Sequence, residues 1–83
     1  MEPYIGEIRL FPYNFVPARW AACNGALLPI NSNAALFSLL GTAFGGDGLT
    51  TFALPNLGQL PTVHGGGQGT YCIALQGQYP QRD

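Results

Sequence analysis

Apolar and polar positions alternate near the start of the chain, in IGEIRLF over Ile5–Phe11. Ile8 and Leu10 share one parity, Glu7 and Arg9 the other. The pattern predicts a strand with Ile8 and Leu10 toward a core and Glu7 and Arg9 facing out or toward a neighbour. Pro12 ends it, and Pro12–Pro17 (PYNFVP) reads as a rigid, aromatic-bearing connection. Trp20–Ile30 reads WAACNGALLPI. Its Asn24-Gly25 pair is a hairpin signal, because both residue types tolerate the positive φ of a type I′ turn. Trp20–Cys23 and Ala26–Leu28 are the expected arms, and Pro29 stops the second.

The period then changes. In NSNAALFSLLGTAF, Asn31–Phe44, the sets Leu36, Leu39, Leu40, Ala43 and Phe37, Leu40, Phe44 recur at helical spacing. Asn31, Ser32 or Asn33 is the expected side-chain N-cap, and Gly41 is a natural C-cap. The apolar face is wider than one partner surface needs. Gly45–Gly48 is a loop, and Thr50–Leu54 (TTFAL) is extended up to Pro55. Gly65–Gly69 (GGGQG) is a bridge with no conformational preference. Thr70–Leu75 (TYCIAL) has the strongest strand composition in the chain. The expected fold is a small α+β domain, with one helix packed on a short mixed or antiparallel sheet with a β-hairpin. We read residues 1–83 as a single domain: a core over 4–65, the bridge over 65–69, and a C-terminal strand over 70–75.

Length and charge narrow the function. With 83 residues and 8% charged residues, the domain has a small core and little surface charge to keep copies apart. The expected partner is itself. The net charge of −1 and three scattered arginines offer no basic patch for nucleic acid. No apolar run is long enough to span a bilayer, so no membrane insertion is expected. No basic stretch followed by an apolar one opens the sequence, so the expectation is a chain made in the cytoplasm.

The candidate chemistry is thin. A phosphate loop leads into a helix and usually carries a lysine. Here the glycines of GGDG follow a helix, and the chain has no lysine. Asp47 lacks the neighbouring acids of a calcium loop. Gly45, Gly46 and Gly48 therefore read as a tight turn supplying positive φ, with Asp47 bonding its own backbone. His64, the only histidine, could hold a metal only on an oligomer axis that brings copies together. Cys72 lies in an apolar strand, where a thiol is inert. Cys23 and Cys72 read as buried small residues, with a disulfide as the alternative. No catalytic residue, resident metal or cofactor is expected, and the protein is not read as an enzyme. Tyr13, Phe15 and Tyr79 sit in proline-bearing loops and are the candidate contacts to a ligand or a subunit.

The ordered series CNG, LLPI, ALFSLLGT, GGDG, TTFALP and LPTVHG resembles the phage tail collar domain family over about residues 4–65. That family includes short tail fibres of contractile phages and bacterial proteins termed microcystin-dependent. The closing TYCIALQGQYPQRD is similar to the end of the bacterial members. The resemblance implies a structural, self-associating collar protomer of a phage tail fibre or tail-derived bacterial fibre. It would form a trimer or fibre within a virion or extracellular fibre, with other tail proteins or a cell-surface glycan as further partners. The alternative is a small glycan- or receptor-binding module using loop aromatics. Two departures stand out. Asn56 and Gln59 replace an acid and a base of the usual ALPDLRGRVP-like pattern, so ion pairs made there do not carry over. GGGQG replaces a long variable region, so the chain reads as a minimised collar in which Gly45, Gly46, Asp47 and Gly48 are structural.

Overall fold

The structure, a computed structural model, describes residues 2–12, 15–57, 59–61 and 68–81, with only the backbone described at 59–61 and Gln68. Seven elements follow in chain order: β1 (Ile8–Phe11), β2 (Trp20–Ala22), β3 (Leu27–Pro29), α1 (Ala34–Leu40), β4 (Thr51–Ala53), β5 (Gln59–Pro61) and β6 (Gln68–Ala74). β6 is the organising strand, as its aromatic and β-branched composition predicts. It pairs antiparallel with β1 along one side, and with β2 and then β5 along the other. β3 and β4 form a separate antiparallel pair.

The first and last strands meet as their patterns imply. Ile8 faces Ile73 and Leu10 faces Tyr71 in the register, and paired residues share a face. Ile8 and Leu10 thus lie on the core side, as alternation predicts. They nevertheless remain 42% and 43% exposed, because β1 occupies an edge of the sheet. Ahead of it, the Glu7 N–H bonds the Tyr4 carbonyl, and the Gly6 N–H and Glu7 carbonyl both engage Ala74. With Gly6 at φ 86°, this is a tight turn running into a glycine bulge.

The Asn24-Gly25 hairpin is not formed. β2 pairs with β6 and β3 with β4, so the two expected arms go to different sheets. Gly25 has φ 80°, while Asn24 is not in the positive-φ region, so the turn is not type I′. Asn24 Oδ1 accepts from the Ala26 N–H, and Asn24 pairs across to Asn56. The reason is burial. Two three-residue arms paired with each other would bury little. Separated, they set Ala21 opposite Ile73 and Leu28 opposite Phe52. The hairpin of the fold is β5–β6.

The helix is shorter than its apolar periodicity, ending at Gly41 as expected. No side chain caps its N-terminus; Asn33 is turned toward β3, where its Nδ2 donates to the Pro29 carbonyl. The core takes Leu36, Phe37 and Leu40 and leaves Leu39 and Phe44 exposed, which accounts for the wide apolar face. Leu36 joins Cys23, Phe52, Leu54 and Ile73 in the buried centre, where the Phe37 and Phe52 rings meet at 5.4 Å. On the opposite side of the sheet, Phe11 meets Trp20 edge-on at 5.0 Å and the Arg9 guanidinium sits 5.6 Å from the Trp20 ring.

β6 begins at Gln68, two residues before the expected strand, so the end of GGGQG is sheet rather than bridge. Gly69 is buried, and a Cβ on it would lie 2.6 Å from Leu10 Cδ1. Gly65, Gly66 and Gly67 lie outside the described residues.

Candidate functional site

The GGDG loop is built around one carboxylate. Asp47 Oδ1 accepts from the N–H groups of Leu49, Thr50 and Thr51 at 2.8, 2.8 and 2.9 Å. Asp47 Oδ2 accepts from the Thr50 hydroxyl at 2.9 Å. These donors, led by the Thr51 and Thr50 N–H groups, hold the carboxyl well below the usual carboxylate range. The glycines make the turn possible. Gly45, Gly46 and Gly48 have φ 130°, 93° and 73°. A Cβ on Gly46 would stand 2.4 Å from Phe52 Cα. Both carboxylate oxygens are committed within the turn, so Asp47 acts as an internal anchor that feeds β4 into the core.

Both cysteines are free and buried. The Cys23 N–H bonds the Tyr71 carbonyl, which continues the β2–β6 register and places Cys23 with the core cluster. Cys72 alternates to the opposite face, across from Arg9 and Ala22. Burial first, and the nearby Cys72 second, push the Cys23 thiol up to about 11. Burial also raises Cys72. Neither thiol is a thiolate nucleophile near neutral pH. Among the described residues, no three His, Cys, Asp or Glu side chains are grouped to hold a metal. His64 and Tyr13 lie outside the described residues.

The remaining aromatic candidates separate. Phe15 is 61% exposed. The Tyr79 hydroxyl is 2.6 Å from Ser38 Oγ, which ties the C-terminal segment to α1. Sequence reasoning passed over several positions. Leu49 follows the Asp47 turn and is 84% exposed, and Leu27 is 60% exposed. Pro29, Ile30 and Leu49 share an apolar depression, and Leu27 and Pro29 alternate to the same face of β3. The signal was the adjacent leucine pair of LLPI: with Leu28 in the core, Leu27 falls on the other face, and a strand carries leucine on both faces when both are covered. Arg19 has φ 70°, with no glycine to announce it. Glu7 pairs with the Arg9 guanidinium. The Tyr4 N–H and then Arg9 draw its carboxyl below the ordinary range.

No helix among the described residues is long and apolar enough to cross a membrane. No significant match to the chain is found among curated proteins or among solved structures. The family model of the phage tail collar domain matches residues 6–62, from the Gly6 bulge through β5. The chain therefore belongs to the phage tail collar domain family.

Proposed function

We infer that this protein is a non-catalytic structural protomer that associates with copies of itself, as the collar part of a phage tail fibre or tail-derived bacterial fibre. The observation that carries this reading is the apolar outer side of the β3–β4 pair, where exposed Leu27 shares a face of β3 with Pro29, and Pro29 shares a depression with exposed Leu49. The edge strand β1 adds half-exposed Ile8 and Leu10. Exposed apolar groups that cluster beside so little charge favour a protein neighbour over water. Asp47 supports the same reading, because it spends its oxygens on positioning Leu49 and Thr50. A rigid turn presenting a leucine suits a packing surface. The expected state is a trimer or larger, in a virion or an extracellular fibre. Light scattering after size exclusion tests it: a mass of at least three chains supports the reading, and a single-chain mass at about 50 µM, above the dissociation constants of micromolar and tighter complexes, overturns it.

A further inference from the structure

Asn24 and Gly25 join the two sheets, since β2 belongs to one and β3 to the other. The sequence has five asparagines, and only Asn24 precedes a glycine. That pairing carries a reaction of its own. The backbone nitrogen of the following residue can attack the asparagine carboxamide carbon, and a glycine there puts no side chain in the way.

The fold turns the carboxamide toward this reaction. Asn24 Oδ1 accepts from the Ala26 N–H at 3.1 Å. A side-chain oxygen held by the residue two ahead folds the side chain forward along the backbone, on the side of the Gly25 nitrogen. It also sets an N–H at the oxygen on which negative charge collects when the carbon is attacked. Asn24 is exposed, so water reaches it.

The fold also withholds the nucleophile. The Gly25 N–H donates to the Pro55 carbonyl at 3.2 Å. While that bond stands, the nitrogen keeps its proton and its direction. The neighbouring backbone repeats the clamp. The Leu57 N–H bonds the Cys23 carbonyl at 2.9 Å, and the Leu54 N–H bonds the Ala26 carbonyl at 3.0 Å. Asn24 itself forms a bridge to Asn56. A Cβ on Gly25 would stand 3.4 Å from Asn56 Cβ, so the two segments lie close. Freeing the Gly25 nitrogen requires Pro55–Leu57 to lift from Cys23–Ala26, which is a local opening rather than global unfolding.

We propose that Asn24–Gly25 is a self-modification site, prepared by the Ala26 N–H and gated by the hydrogen bond from Gly25 to Pro55. When the gate opens, the Gly25 nitrogen gives its proton to water or hydroxide and forms a bond to Asn24 Cγ. The Cγ–Nδ2 bond breaks, and the amide nitrogen takes up a proton and leaves as ammonia. The product is a cyclic succinimide. Water then adds to either of its carbonyls. One opening gives aspartate; the other gives an isoaspartyl link, in which the backbone runs through the side chain. Both products add a carboxylate at the junction, and the isoaspartyl link lengthens the path between the two sheets by one carbon. The site lies within one protomer and does not depend on association between copies.

The test incubates the whole chain at mildly alkaline pH, folded and in urea, and follows the gain in mass from amide to acid, with peptide mapping to place it. In urea Asn24 should convert first, to a mixture of aspartate and isoaspartate. In the folded protein conversion should again fall on Asn24, and it should be slower by about tenfold or more, as a local opening demands. Small additions of urea, below the unfolding transition, should speed conversion in proportion to hydrogen exchange at the Gly25 N–H. Conversion in the folded protein as fast as in urea overturns the gate. Conversion spread over Asn31, Asn33 and Asn56, or Gly25 exchange that quickens while conversion does not, overturns the proposal as well.

Discussion

Gly46 rests on the backbone of Phe52, so closely that a Cβ would stand 2.4 Å from the Phe52 Cα and 2.7 Å from the Thr51 carbonyl oxygen. Phe52 is fully buried and anchors the core. The turn that precedes β4 is therefore part of the core packing, and its glycine cannot be exchanged. Gly46→Ala meets both a positive φ, costing about 1–2 kcal/mol, and a backbone collision, costing about 1–3 kcal/mol. The expected fall in melting temperature is on the order of 15 °C. Gly41→Ala is the control: nothing lies within 4 Å, so it meets only the backbone strain of φ 57° with ψ −142°, about 1–3 kcal/mol, and no collision. Thermal melts of the two variants decide the matter; equal shifts would mean that contact with Phe52 is unimportant.

Leu10 and Gly69 form a coupled pair across β1 and β6. The obstacle to a Cβ at Gly69 is the end of a flexible leucine, so Gly69→Ala is expected to cost about 1–2 kcal/mol. In a Leu10→Ala background the obstacle is gone. The cost should then fall by at least about 0.5 kcal/mol, a coupling readable in a double-mutant cycle by urea denaturation. Strict additivity would place Leu10 elsewhere.

The cysteines give a chemical check on the sheet. Cys23 and Cys72 are both buried, on opposite faces of the β2–β6 pair. Both should react slowly with a thiol reagent in the native protein and fast in denaturant. Mild oxidation should leave both thiols free. Rapid native labelling of Cys72, or an intrachain disulfide, would contradict the register.

Asp47 sets an acid limit on the turn. Its folded value is depressed below the unfolded one by backbone N–H groups. The stability it supplies is therefore fully present above the unfolded value of about 3.9 and is lost as pH falls toward the folded value. The melting-temperature gap between wild type and Asp47→Asn should be constant from about pH 7 to pH 5 and should shrink below about pH 4. A gap that holds steady into strong acid would mean that the carboxylate charge is not what the N–H groups recognise.

The sequence made β1, β6, the centre of α1, the Gly41 stop and the GGDG turn legible, because each is written in local signals: alternation, composition, 3/4 spacing and glycine placement. The separation of Trp20–Cys23 from Ala26–Leu28 was not. Each arm is too short to carry a period, and the choice between pairing together and pairing with β6 and β4 is made by burial across the whole chain. Gly69 could not be told from its neighbours in GGGQG, since only Leu10, from the other end of the chain, sets it apart.

The central claim is that the apolar outer face of β3–β4 binds another copy. Sedimentation equilibrium of the wild type and of Leu27→Lys/Leu49→Lys tests it most directly. Both leucines are largely exposed, so the double variant should melt within about 3 °C of the wild type, as surface substitutions do. The account predicts a wild-type mass of three or more chains and a variant shifted to a single chain. A wild type that sediments as a single chain, or a variant that assembles as the wild type does, would contradict it.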